Sequence, residues 1–284
     1  MNLMIEMLKA ILLGIVQGIT EWLPISSTGH MILVNELMPL TVLADAAANK
    51  EFVDMFMVVI QFGSILAVLL LYFHKLNPFS PRKNAYEKRS TIDLWLKVIV
   101  AVVPAGIIGV LFDDLIDAYF YNPVTVASML IIYGVAFLAI ESRHRRPSVT
   151  SFEKMSYKTA LAIGVFQVLA LIPGTSRSGA TILGAVLLGC SRGIAAEFSF
   201  FLAVPVMFGA SALRLAKYFL KGNVFAPMEL AILLVGCAVA FVVSLVCIRF
   251  LMGFVRKHDF KPFGWYRIVL GVLVIAWFGI TALI

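Results

Sequence analysis

Gly14-Ile15-Val16-Gln17-Gly18-Ile19-Thr20-Glu21-Trp22-Leu23-Pro24-Ile25-Ser26-Ser27-Thr28-Gly29-His30 and Gly164-Val165-Phe166-Gln167-Val168-Leu169-Ala170-Leu171-Ile172-Pro173-Gly174-Thr175-Ser176-Arg177-Ser178-Gly179 share one pattern. Each runs Gly, then Gln three residues on, then a Pro, then a hydroxyl-rich turn closed by Gly. Both sit in stretches otherwise built for lipid. An ionisable group at membrane depth is costly, so Glu21, His30 and Arg177 are candidate functional groups.

The rest of the chain supplies that lipid setting. Of 284 residues 61% are hydrophobic and 14% charged, with mean hydropathy +0.98, far more apolar than a soluble domain. This is the composition of an all-α polytopic membrane protein. The net charge of +7 does not imply nucleic acid, because the positive residues cluster in loops between apolar spans, where they set topology and meet anionic lipid headgroups. Cys190, Cys237 and Cys247 lack CxxC spacing. They read as packing residues rather than a disulfide set or metal site. Lys9 and the apolar run after it are soon followed by Glu21 and Pro24, with no small-residue cleavage site, so no removed signal peptide is expected.

A lipid-crossing helix needs about 20 apolar residues. Stretches 52–73, 93–112, 123–141, 195–219, 228–252 and 263–283 meet that length. The two polar segments, 8–38 and 158–190, each have two arms around a Pro/Gly/Ser/Thr turn, and each arm looks too short to cross. They read as re-entrant helix-loop-helix segments, tolerated where buried in protein or lining a wet cavity. Loops 74–92, 142–158 and 253–262 are rich in Lys and Arg, whereas 113–122 carries Asp113, Asp114 and Asp117. The positive-inside rule makes the basic loops cytoplasmic, with Lys217 and Lys221 a mild violation.

One membrane domain over 1–284 is expected, in halves of about 1–142 and 155–284. Each half then holds one re-entrant segment and three spans. Three is odd, so the second half enters upside down, an inverted-topology repeat whose broken helices build the site. Phe62-Gly63-Ser64 and Phe208-Gly209-Ala210 are a weaker echo of it.

In the first turn, Gln17 and Glu21 are four apart and share a helical face. A carboxylate and an amide there suit a hard divalent cation or can orient a proton donor. Ser26, Ser27 and Thr28 bring hydroxyls, and Ser27 beside Glu21 and His30 fits an activated nucleophile. The bland alternative is a simple turn with His30 as an interhelical donor. In the second turn Thr175, Ser176, Ser178, the N–H groups of a helix start and the Arg177 fork make anion-binding chemistry. Its bland alternative is an Arg that snorkels, or that pairs with Glu21 for structure. Glu197 reads as a cap or ion-pair partner near a span start, and Gln61 and Gln167 as supporting or interhelical groups. His74, His144 and His258 read as interfacial, and Gly14-xxx-Gly18 as a packing signal. Together the turns describe a pocket deep enough for the phosphorylated head of an amphiphile.

Gln17-Gly18-Ile19-Thr20-Glu21, Pro24 through His30, and Pro173 through Thr181 resemble the bacterial undecaprenyl-diphosphate phosphatases, the bacitracin-resistance proteins, and the likeness covers essentially the whole chain. The resemblance implies hydrolysis of undecaprenyl diphosphate to the monophosphate, recycling the lipid carrier for peptidoglycan. It implies a bacterial plasma-membrane enzyme with its site facing outward, needing a divalent cation, Mg2+ or Ca2+. It implies roles in catalysis for Glu21, Ser27, His30 and Arg177, with Gln17, Ser26, Thr28, Thr175, Ser176 and Ser178 binding substrate and Glu21 the metal. Gln17 stands where some members have Glu, so the expected metal ligands are Glu21, phosphate oxygens and water. Either Ser27 or His30 could attack phosphorus. The expected partners are a polyprenyl diphosphate and the bilayer, with no nucleic acid, and a homodimer is compatible with the chain. The alternative is a transporter or flippase of an anionic polyprenyl lipid, which an inverted repeat also suits. A third reading is the other membrane lipid-phosphatase superfamily, which Ser-Thr-Gly-His and Ser176-Arg177 echo, although Arg177 lacks the His that follows in its motif.

Overall fold

The computed structural model describes residues 3–120, 122–143 and 146–281. His144 and Arg145 lie outside the described residues, as do the side chains of Asp113, Asp114 and Asp117. The chain runs α1 (Leu3–Thr20), α2 (Ser27–Leu37), α3 (Ala46–Leu71), α4 (Phe73–Leu76), α5 (Ala85–Phe120) and α6 (Pro123–Glu141). It continues as α7 (Tyr157–Val168), a 3-10 turn at Leu169–Leu171, α8 (Arg177–Leu187), α9 (Arg192–Leu220), α10 (Pro227–Phe254) and α11 (Lys261–Thr281). The only extended pairing among the described residues is one bridge, Val149 with Cys190.

Caps explain most helix starts. The side chains of Asp45, Asn122, Ser156 and Ser191 accept the N–H three residues on and open α3, α6, α7 and α9. Pro123 and Pro227 stand in the first turns of α6 and α10, where a missing N–H costs nothing.

All six expected spans are helices, and most are longer than the apolar runs that announced them. The α5 helix has 36 residues, starting in the basic loop 74–92 and running through the acidic stretch after residue 112. Glu87 and Arg89 at its start are exposed, so charges of this kind need not end the helix. The arm-length argument holds for α2, α7 and α8, with 11, 12 and 11 residues. It fails for α1, whose 18 residues span about 27 Å. Among the described residues seven helices, α1 included, are long and apolar enough to cross a membrane.

The α1 helix packs on α10, and α7 packs on α5. α3 lies against both α9 and α10, α5 also touches α9, and α6 pairs with α11. The short α8 is held by α7, α9 and α6. In lipid such contacts rest on close fit rather than on escape from water. The Gly14-xxx-Gly18 pair supplies it: a methyl on Gly14 would stand 2.7 Å from the Gly236 carbonyl, and one on Gly18 2.7 Å from Val243 Cβ. The two Phe-Gly echoes meet, Phe62 and Phe208 lying 6.1 Å apart between ring centroids.

The larger core gathers Trp22, Phe137, Phe198, Phe200, Phe201 and Phe260, and the smaller one Phe52, Phe56, Ile60 and Ile232. Leu70, Ile99, Val246 and Phe250 point outward, as lipid-facing side chains should. All three cysteines are free, two of them buried. At the basic end Glu197 pairs with Lys75, and Arg192 forks onto Glu141 with its Nε at 3.0 Å.

Candidate active site

Each polar turn brings its helix into the fold by the same local device. Ser26 has φ 76° and Ser176 φ 72°, the only non-Gly residues with positive φ among those described. That region is unfavourable for a side chain, by about 1–3 kcal/mol per residue. Each serine recovers part of it as an N-cap. Ser26 Oγ accepts from the Gly29 N–H at 3.2 Å, and Ser176 Oγ from the Gly179 N–H at 3.1 Å. The residue after each strained serine is then the first residue of a short helix. Those residues are Ser27, on α2, and Arg177, on α8.

Ser27 and Arg177 meet at one carboxylate. Ser27 Oγ donates to Glu21 Oε2 at 2.8 Å, and Arg177 Nη2 donates to Glu21 Oε1 at 3.0 Å. Gln17 Nε2 also donates to Oε2, at 3.0 Å. Arg177 is further fixed by the Ser199 carbonyl at 2.7 Å and lies over the Trp22 ring, 6.0 Å from its centroid. Ser178 Oγ ties the second turn to the first through the Leu23 carbonyl at 3.2 Å. The pair is shut in, with 5% of the Glu21 side chain and 11% of that of Arg177 exposed. An anion reaching this guanidinium would have to displace Glu21 from it rather than enter a ready-made pocket. A cavity of about 600 Å³ lies elsewhere, between the ends of α6 and α8 and the start of α9.

The remaining expected residues divide. Ser26 and Ser176 are occupied as caps. Thr175 is fully buried with a hydroxyl that has no partner among the described residues. Thr28 is half-buried in the first turn of α2 and has no part in this network. His30 is not on Ser27. Its Nδ1 lies 2.7 Å from the Ser26 carbonyl and its Nε2 2.7 Å from the Tyr266 hydroxyl. A carbonyl only accepts, so Nδ1 carries the hydrogen, and in the neutral ring Nε2 accepts from Tyr266. The proton acceptor beside Ser27 is thus Glu21.

Several contributors went unread in the sequence. Arg267 of α11 is fully buried and reaches both turns. It lies within the expected span 263–283, so the cost of charge in lipid, which flagged Arg177, flags it too. Tyr266 beside it, and Ser199 in an apolar span, carry no comparable mark. The orphaned Nε of Arg177 and Nε1 of Trp22 are donors that a bound anion could use.

For a metal, no three His, Cys, Asp or Glu side chains cluster among the described residues. Glu21 is the one carboxylate at the pair. Mg2+ often binds through one or two carboxylates, keeps several waters and takes substrate phosphate oxygens. Glu21 with the Gln17 amide oxygen fits that mode, an ion carried in by a diphosphate, and no dedicated cage.

The family described as bacitracin resistance protein BacA matches residues 10–273. The undecaprenyl-diphosphatase of Enterococcus faecalis is 58% identical over 271 residues, 95% of this chain and 96% of that protein. Undecaprenyl-diphosphatase 1 of Clostridioides difficile is 58% identical over 97% of both chains. The undecaprenyl-diphosphatase of Acetivibrio thermocellus is 57% identical over 97% of this chain and 98% of its own.

Proposed function

This chain belongs to the bacitracin resistance protein BacA family, and we propose that it hydrolyses undecaprenyl diphosphate to undecaprenyl phosphate and inorganic phosphate, returning the carrier to peptidoglycan synthesis. The observation that carries the mechanism is the sharing of Glu21 by Ser27 and Arg177. In the resting pair Arg177 neutralises Glu21 and Glu21 holds the Ser27 hydroxyl. When a diphosphate arrives, Arg177 turns its fork to the phosphate oxygens. Glu21 Oε2 keeps its hydrogen bond to Ser27 and acts as the base.

Ser27 Oγ attacks the terminal phosphorus while its proton passes to Glu21 Oε2. The bond between that phosphorus and the bridging oxygen breaks, and undecaprenyl phosphate leaves with the electron pair. Water then attacks the phosphoserine: Glu21 returns its proton to the departing Ser27 Oγ, the water's own hydrogens leave with the inorganic phosphate, and both side chains are restored. Arg177 and the N-termini of α2 and α8 bear the charge that develops. Thr175 and Ser178 line the same turn for the diphosphate, and Glu21 Oε1 and the Gln17 amide oxygen would hold a divalent cation brought in with it, which would supply neutralising charge. His30, coupled to Tyr266, stands one helical turn from Ser27 to move protons at the site's edge.

The packing supports an inverted repeat with halves of about 1–142 and 155–284: α1 on α10 answers α7 on α5, and α10 on α3 answers α5 on α9. In that arrangement the α1–α2 segment enters from one side of a plasma membrane and the α7–α8 segment from the other, their turns meet between the two, and the site is read as open to the outside. The same symmetry suits a flippase. Purified protein in detergent, where there are no two sides, distinguishes them. A phosphatase releases phosphate from undecaprenyl diphosphate there and stops with EDTA, whereas protein that releases none refutes the hydrolase.

A further inference from the structure

We propose that Arg267 is a positioning residue that clamps the two polar turns in register, so that Ser27 and Arg177 reach the same carboxylate; this rests on the hydrolase reading above. Arg267 is 0% exposed, and no acidic side chain contacts it among the described residues. Its guanidinium is spent on carbonyls. Nη1 donates to Pro24 at 3.1 Å, in the first turn. Nη2 donates to Gly174 at 2.9 Å and Thr175 at 2.8 Å, in the second. Longer contacts of 3.4 Å reach Leu130 and Met129 on α6, and the ring of Tyr133 lies 5.3 Å from Cζ.

A buried cation without a counter-ion is an expensive way to pack two helices, and an apolar side chain would join α6 to α11 more cheaply. What an apolar side chain cannot do is hold Pro24 and Gly174 together. Those carbonyls precede Ser27 and Arg177 by three residues each. Only a planar fork with several fixed donors can serve both turns at once; a lysine ammonium is a point charge on a flexible stem. Gly179 in the first turn of α8 leaves room for the fork, since a methyl there would stand 2.9 Å from Arg267 Nη1.

The test uses full-length protein and polyprenyl diphosphate in detergent, with thermal unfolding measured alongside. Loss of register of about an ångström costs about 10²-fold in turnover, so Arg267→Lys is expected to lower kcat about that much. KM should stay within about threefold, because Arg267 does not touch substrate. In an Arg177→Lys background, where the fork at the carboxylate is already lost, Arg267→Lys should add little. A defect that multiplies equally in that background marks general damage and overturns the proposal. So does kcat within about threefold of the parent, or a rise in KM alone. If Arg267→Lys does not fold, Gly179→Ala displaces the guanidinium in place and is judged by the same readouts. Parent protein that releases no phosphate sinks the hydrolase reading and the clamp's purpose with it, a result distinct from active parent with unimpaired variants.

Discussion

Replacing Arg177 by Met tests the resting ion pair and the chemistry at once. The change leaves Glu21, 5% exposed, without its counter-charge, and leaves the Ser199 carbonyl without the donor now 2.7 Å away. Breaking a buried pair by removing one partner costs about 3–5 kcal/mol. Glu21 can limit the cost by taking up a proton, so the figure is a ceiling rather than a sum with the orphaned carbonyl. Against a total stability of about 5–15 kcal/mol this is severe, a drop in melting temperature of roughly 10 °C. Arg177→Met with Glu21→Gln removes both charges at similar volume and should recover most of that loss. Activity should behave otherwise. An arginine that neutralises a transferring phosphoryl group is worth about 10³-fold or more, so single and double variants should both be nearly inactive. Thermal unfolding in detergent and phosphate release from undecaprenyl diphosphate read the two effects separately. A single variant as stable as the parent refutes the buried pair, and turnover by the double variant refutes the assigned roles.

Ser27→Ala should abolish turnover while costing only the 2.8 Å hydrogen bond to Glu21, about 1.5–3 kcal/mol for a bond to a charged acceptor; trapping a phosphorylated intermediate by mass spectrometry in the parent but not the variant checks it, and parent-like phosphate release by Ser27→Ala would refute the nucleophile. The Phe-Gly echoes should respond unequally: a methyl on Gly63 meets the backbone of Cys237, whereas one on Gly209 meets nothing within 4 Å. Gly63→Ala should therefore destabilise by about 1–3 kcal/mol and Gly209→Ala stabilise slightly, as read by melting in detergent.

Spans were legible because lipid leaves the backbone few choices: a long apolar run must be a helix. Their ends were not, because a charged residue such as Glu87 or Lys88 at a membrane surface is compatible with helix or loop alike. The length of α1 was missed for the same reason, with Glu6 and Lys9 satisfying each other at 2.9 Å. The candidate site was legible where chemistry broke a pattern, as at Glu21 and Arg177, which the fold brings together. Who bonds to whom was not. His30, three residues after Ser27, suggested a dyad, yet its ring nitrogens go to Ser26 and to Tyr266, 236 positions away. No local signal encodes such a contact.

The two turns also explain why the proposed repeat builds one site and not two. Ser26 and Ser176, Gly29 and Gly179, and Gln17 and Gln167 are each 150 positions apart, so the geometry of the turn is present twice. The reactive groups are not. By the same spacing Leu171 stands opposite Glu21, Arg177 opposite Ser27, and Ala180 opposite His30. Two carboxylates facing each other across such a close axis would repel, and two buried arginines would do the same. One acid shared by a hydroxyl from one copy and a guanidinium from the other satisfies every charge. The consequence is visible at Gln167. Gln17 has Glu21 to donate to, but the residue four after Gln167 is Leu171, and neither amide atom of Gln167, 2% exposed, has a partner among the described residues. The second copy has kept the turn that aims a helix N-terminus and given up the acid, which leaves its arginine free to serve the acid of the first.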